Sequence, residues 1–262
     1  AKTVYFDPDS IISPLTSAVN SQDIFIAKYD STGKYVWAIS MGGNGADEGK
    51  SIAVDGSGNI YVTGYFRSSF DGSSVDFGCT QDLESEALID IFIAKFKPDG
   101  ECEWAKSIGG NGFDEGKSIA VDNSGDVYIT GYFNSSVEFG GSSPLVANVG
   151  GSSDIFIAKY DSNGNYKWAK NIGGTSNDEG KGIAVDNSSG YVYITGFFKG
   201  SSVDFDFDPG VGTDSLNSNG DSDIFIAKYN KSDGGYAWAK NIGGTFGDVG
   251  RSIAVEDDNV YV

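Results

Sequence analysis

The sequence predicts an all-β fold, a β-propeller of four blades with four antiparallel strands each, and three observations lead there. The string Asp-Ile-Phe-Ile-Ala-Lys occurs four times, beginning at Asp23, Asp90, Asp154 and Asp223, with spacings of 67, 64 and 69 residues. Each copy is followed by the same series of landmarks. These are a tryptophan (Trp37, Trp104, Trp168, Trp238), a Gly-Gly pair (from Gly42, Gly109, Gly173, Gly243) and a turn acid (Asp47, Asp114, Asp178, Asp248). An Ile-Ala-Val run (from Ile52, Ile119, Ile183, Ile253) and a tyrosine-led segment (Tyr61, Tyr128, Tyr193, Tyr261) complete the series. Finally, 40 residues run from Asp223 to the end and 22 precede Asp23, together 62, close to one more period. Self-similarity of this kind, with four short strands per period, selects a propeller over a sandwich or barrel.

Each element follows from its residues. Ile-Phe-Ile-Ala is apolar on both faces, as a strand covered on both sides must be. A polar turn such as Asp161-Ser162-Asn163-Gly164 joins it to the tryptophan strand, which makes the two a hairpin. Ser51-Ile52-Ala53-Val54 is small and β-branched and suits the crowded innermost strand. Asp55-Gly56-Ser57-Gly58-Asn59 then turns into Ile60-Tyr61-Val62-Thr63-Gly64. No helical period of useful length is present. The expected domain is one propeller over residues 1–262, its seam blade built from 1–50 and 251–262. The C-terminus supplies the two inner strands of that blade and the N-terminus the two outer ones, which removes free sheet edges.

The repeated Asp-Ile-Phe-Ile-Ala-Lys, Trp-Ala-Lys, Gly-Gly, Ser-Ile-Ala-Val-Asp and Gly-Asn-Ile-Tyr-Val-Thr-Gly-Tyr-Phe segments, with Phe207-Asp208-Pro209-Gly210, resemble the SBBP type of β-propeller repeat. The resemblance implies a propeller fold and a secreted or cell-surface location in bacteria or archaea. It implies no shared activity and no catalytic residues. The family name implies seven blades, whereas this chain has four copies of the motif.

Charge and composition exclude several classes. Eighteen Lys and Arg stand against 37 Asp and Glu, a net charge of −19. Such a surface repels nucleic acid and anionic membranes. There is no histidine, the commonest general base and metal ligand. No run reaches the roughly 18 apolar residues of a membrane helix. The chain begins at Ala1 without a basic, apolar leader, so its N-terminus is expected to be processed or excerpted.

Residues common to all copies are read as structural: Asp23, Asp90, Asp154 and Asp223 through turn hydrogen bonds, Lys28, Lys95, Lys159 and Lys228 through salt bridges or turn bonds. The four tryptophans are expected to be largely buried between blades. The Gly-rich turns after Gly42 and Gly109 are not phosphate cradles, since no helix or Lys-Ser/Thr follows. Functional signal is sought in the variable loops between second and third strands, residues 67–89, 134–153 and 199–222, with the N-terminal 22 residues as the fourth. Asp204, Asp206 and Asp208 alternate, so in extended chain their carboxylates share one side and suit Ca²⁺. Asp7 and Asp9 are a weaker copy, and Asp47, Asp114, Asp178 and Asp248 a second candidate cation set. Cys79 and Cys102, the only cysteines, form a disulfide if they meet, as suits an extracellular protein. Asn134, Asn187 and Asn230 begin glycosylation sequons.

The function expected is a non-enzymatic structural or adhesive module of the cell surface, a unit of a larger assembly. The alternative is a ligand-binding, lectin-like propeller for carbohydrate or protein, with Ca²⁺ as its one candidate cofactor. Catalysis by paired carboxylates is not expected, because no such pair is recognisable in the sequence. Partners are expected at the long loops, with neither nucleic acid nor membrane insertion.

Overall fold

The computed structural model describes residues 2–7, 14–17, 21–68, 74–86, 88–148, 152–207, 214–257 and 259–262. The described residues are all β, with antiparallel strands and no helix. Three complete blades follow one another. The first holds β5 (Glu48–Val54), β6 (Ile60–Phe66), β7 (Asp90–Phe96) and β8 (Cys102–Ile108) in that order. For the second, β9 (Glu115–Val121) and β10 (Val127–Phe133) pair through to β13 (Asp154–Tyr160) and β14 (Tyr166–Ile172). In the third, β15 (Glu179–Val185), β16 (Tyr191–Phe198), β19 (Asp223–Asn230) and β20 (Tyr236–Ile242) repeat the pattern. The series is flanked by two half-blades, β3 (Ile24–Tyr29) with β4 (Tyr35–Met41), and β21 (Ala254–Glu256) with β22 (Asn259–Tyr261).

The two half-blades do not join into the expected seam blade. β3 pairs with β4 and β22 with β21, each in a separate two-stranded sheet, while β21 lies beside β15 and β3 beside β5. In the complete blades the Thr-Gly-Tyr-Phe half of the second strand pairs with the start of the third, Thr63↔Ile93, Gly64↔Phe92, Tyr65↔Ile91 and Phe66↔Asp90. β22 has no such pairing with β3 and is bonded to β21 alone.

Successive blades are joined by two repeated devices. Lys28 Nζ and Trp37 Nε1 both donate to the Pro98 carbonyl of the next hairpin turn, at 2.8 and 3.3 Å. Lys95 and Trp104 do the same to Ser162 O, and Lys159 and Trp168 to Lys231 O. The indoles lie over the turn glycines; Gly164 has φ +75° and a side chain there would press on Trp104. The tryptophans are less buried than expected. Trp168 is buried, but Trp37, Trp104 and Trp238 are half-buried. They stand on the outermost strand; Trp37, Trp104 and Trp168 cover the turn of the next hairpin, while Trp238 packs on Tyr193 of its own blade.

The second device is an ion ladder on the inner strands. Lys50 bridges Glu48 (2.7 Å) and Glu115 of the next blade (3.3 Å). Lys117 likewise bridges Glu115 (2.7 Å) and Glu179 (3.2 Å), and Lys181 pairs with Glu179 (2.8 Å). The ladder strand skips a residue at Lys50, between Gly49↔Gly64 and Ser51↔Thr63, and the same register shift recurs at Lys181. A bulge re-aims its side chain, here toward the neighbouring blade.

Candidate interaction rim

The variable loops between second and third strands fold as small accessory hairpins at one end of each blade. β11 (Ser136–Val137) pairs with β12 (Leu145–Val146), β17 (Val203–Asp204) with β18 (Ser215–Leu216), and β1 (Thr3–Val4) with β2 (Leu15–Thr16). In the first complete blade a single bridge, Val75↔Leu83, holds the equivalent place. In the three complete blades the hairpin leans back on the preceding connection through one further bridge, Gly42↔Asp76, Gly110↔Val137 or Gly173↔Asp204.

A phenylalanine wedge seats each hairpin on its blade. Phe77 packs on Phe92 (4.9 Å between centroids), Phe139 on Phe156 (5.0 Å), Phe205 on Phe225 (5.2 Å) and Phe6 on Phe25 (4.7 Å). Tyr29, Tyr160 and Tyr229 then donate their hydroxyls to the carbonyls of Phe6, Phe139 and Phe205, at 2.8, 2.9 and 3.2 Å. The remaining copy has Phe96 in the tyrosine's place and cannot make this bond. There the tie is covalent, for Cys79, two residues after the wedge, is disulfide-bonded to Cys102, the partner of Phe96 across β7 and β8. Their Cα atoms are 5.1 Å apart, within the usual range. The sequence held this signal, a tyrosine missing from one repeat and two cysteines present only there, but reading it needed the hairpin's position.

The repeated acids frame the base of the rim. Asp47 accepts from Gly43 N (2.9 Å) and Arg67 N (3.0 Å), fastening the Gly-Gly turn to the start of the rim loop. Asp114 accepts from Gly110 N and Asn134 N, and Asp178 from Gly174 N and Lys199 N. Asp248 accepts from Gly244 N. These acids are turn fasteners spread over successive blades, so they do not gather at one place. Burial above all pushes Asp114 and Asp178 up to about 7 and Asp47 up to about 6. The Asp90 and Asp154 carboxyls are likewise raised to about 6, chiefly by burial. Asp90 lies against Gly109, where any side chain would overlap its carboxyl, which explains the first glycine of the Gly-Gly pair.

Of the alternating acids, Asp204 Oδ1 accepts from Asp206 N (2.9 Å) and Phe207 N (3.2 Å), an Asx turn at the hairpin tip. Partial burial, then the neighbouring Asp206 carboxyl, raises Asp204. Asp208 and Asp9 lie outside the described residues, and Asp7 lies beyond β1 in the N-terminal copy. Among the described residues no three acidic or cysteine side chains converge as a metal cluster. Asn134 directly follows β10, Asn187 lies in the connection after β15, and Asn230 ends β19 with its amide on Gly235 O.

The SBBP β-propeller repeat family matches the chain at residues 36–65 and 103–136. An uncharacterized WD repeat-containing protein of Acanthamoeba polyphaga mimivirus is 28% identical over 246 residues, 84% of this chain and 18% of that protein. The regulatory protein FlaEY of Caulobacter vibrioides is 25% identical over 174 residues, 63% of this chain and 17% of that protein. The chain thus spans less than a fifth of either relative. A solved structure of a protein of unknown function from Bacteroides caccae overlaps 84% of this chain and 90% of its own, at 13% identity and a TM-score of 0.22, a likeness that carries no argument.

Proposed function

We infer that this chain, which carries SBBP β-propeller repeats at two places, is a non-enzymatic interaction module that presents its rim hairpins to a protein partner at a cell surface. The observation that supports this most is the contrast within each repeat. The blade strands and their fasteners are constant, while the hairpins they hold differ in length and sequence, the arrangement by which rigid scaffolds carry binding loops. The acidic surface favours a cationic partner. The disulfide and the relation to secreted repeats support an extracellular location.

Two finer points belong to the same reading. Closure into a four-bladed ring would require the two half-blades to meet at one seam. Lys228 and Trp238 are the donors, and Ser31 O the acceptor, that would repeat the Lys95 and Trp104 bonds to Ser162 O. Arg251 stands where Lys50 and Lys117 stand and would meet Glu48. Ca²⁺ at Asp204, Asp206 and Asp208, or at Asp7 and Asp9, would set the hairpin tips.

Replacing 136–148 by a Gly-Ser linker, with the fold checked by circular dichroism, should abolish binding to whole cells of the source while leaving secretion intact. Unchanged binding would remove the rim from the function, binding confined to a glycan array would favour the lectin alternative, and substrate turnover by the pure chain would refute a non-enzymatic role.

A further inference from the structure

Behind the rim, the second and third complete blades each bury a cluster of oxygen acceptors with too few donors. Asp154 is fully buried; its Oδ2 accepts from the Asn148 backbone N–H (2.9 Å) and side-chain amide (3.2 Å), while its Oδ1 has no partner in good hydrogen-bond geometry and only the Asn171 amide beside the carboxyl. Asn171, on the neighbouring strand β14, has its amide against the Asp154 carboxyl. It donates Nδ2 to Val146 O of the rim hairpin at 3.0 Å, and this fixes which end is oxygen; that Oδ1 is also buried and unpartnered. Asp178 adds a second buried carboxyl, raised chiefly by burial and in small part by the charge of the first. No lysine or arginine side chain is among the groups acting on Asp154 or Asp178.

The next blade repeats the arrangement. Asp223 accepts from Asn219 through Oδ2 and leaves a buried, unpartnered Oδ1. Asn241 donates Nδ2 to Asn217 O of its hairpin at 2.7 Å and leaves a buried Oδ1 without a partner. Asp248 stands at the Gly-Gly turn as Asp178 does. Native interiors rarely leave buried acceptors unsatisfied, and an uncompensated buried carboxylate costs far more than a paired one. The same shortfall at the same two positions of two blades therefore marks a ligand that supplies positive charge and accepts oxygen donors. Hard divalent cations of the Ca²⁺ class take carboxylate and Asn carbonyl oxygens together.

We propose that Asp154 and Asn171, with Asp178 beside them, and their repeats Asp223 and Asn241, with Asp248, each bind one Ca²⁺-class cation that fastens the rim hairpin to its blade. The sites lie behind the hairpins, apart from the alternating acids of the tips. Both donate to the hairpin through the asparagine amide and accept from it through the aspartate, so the cation sets the hairpin's position.

Calorimetric Ca²⁺ titration of the whole chain, stripped with chelator and held at constant ionic strength with NaCl, tests this without reference to any partner. Two saturable sites are expected, with one lost in Asp154→Asn and both in the Asp154→Asn, Asp223→Asn double variant. Asn171→Ser, which copies Ser107 of the first complete blade and so is compatible with the fold, should weaken one site at least tenfold. The rise in melting temperature with Ca²⁺ should shrink in step and be smaller with Mg²⁺. Uptake unchanged by these substitutions would assign Ca²⁺ to surface carboxylates and overturn the proposal. So would equal stabilisation by Mg²⁺ or matched NaCl, or an Asp154→Asn chain that melts higher than wild type in Ca²⁺, which would mean the carboxyl is neutralised by a proton.

Discussion

The hexapeptide Asp23–Lys28 and the hexapeptide Asp90–Lys95 are identical in sequence and opposite in environment. In β7, inside a complete blade with neighbours on both faces, all seven residues are buried and Phe92 is 0% exposed. In β3, at the edge of a half-blade, buried and open positions alternate and Phe25 is 59% exposed. The local sequence sets the strand and its hairpin in both places, with the same register against the tryptophan strand, Lys28↔Trp37 and Lys95↔Trp104. It does not set burial. A repeat of this kind has two apolar faces and one blade's worth of partners, so its core is completed only by the next strand and the next blade.

The largest consequence concerns the same side chain in the two settings. Phe92→Ala should cost about 3–5 kcal/mol, since it empties a filled core position between Phe77 and the strand. Phe25→Ala should cost less than about 1 kcal/mol, because its ring keeps little more than the contact with Phe6. Urea unfolding of both variants decides the matter. A Phe25→Ala loss as large as that of Phe92→Ala would show that β3 is covered in solution, as a closed ring or a longer array requires.

Next in size is the contrast between the covalent and hydrogen-bonded rim ties. Opening the Cys79–Cys102 link by a Cys102→Ser substitution should cost about 2–4 kcal/mol. Tyr160→Phe, which removes only the bond to Phe139 O, should cost about 1 kcal/mol. The comparison breaks if reduction of the disulfide leaves the melting temperature unchanged.

A smaller, distributed effect separates the acids raised by burial from a turn acid held down by neighbouring hydroxyls. Asp47, Asp90, Asp114, Asp154 and Asp178 have folded values of about 6 to 7, above the ordinary carboxylate value, so the folded state holds more protons than the unfolded chain between roughly pH 4 and 7. Stability should then fall as pH rises through that window. Asp186, held at about 2 by Ser189 and Ser188, acts in the opposite sense and loses its contribution only in strong acid. In chelator the chain should melt higher at pH 5 than at pH 8. A melting temperature that rises over that interval would sink the assignment.

The sequence reading located every third and fourth strand, because Asp-Ile-Phe-Ile-Ala-Lys and the tryptophan segment carry period and spacing together. It also placed the inner strand and the four rim loops. The Asn171 and Asn241 amides were not singled out, since an asparagine in Trp-Ala-Lys-Asn-Ile reads as an exposed strand residue until its hairpin partner is known. Nor was the ladder of Glu and Lys, for Glu-Gly-Lys is only a charged triplet until a bulge turns the lysine sideways.

The smallest effect lies where that ladder stops. Gly250 packs on Thr195 as Gly116 packs on Thr63 and Gly180 on Thr130, so Val249 occupies the place held by Glu115 and Glu179 in the preceding copies. Lys181 pairs with Glu179 of its own strand, whereas Lys50 and Lys117 each hold a second glutamate in the next blade. Val249→Glu should therefore supply the missing acid and stabilise the chain, by about 0.3–0.5 kcal/mol, the scale of a partly exposed pair. The gain should vanish in a Lys181→Gln background and shrink in molar salt, where the screening length falls to about 3 Å. A gain that survives both would come from removing an exposed valine and not from the ladder. Loss of stability would mean that the strand after Gly244 does not sit in register with β15, and the last half-blade would then differ from the rest in more than its missing strands.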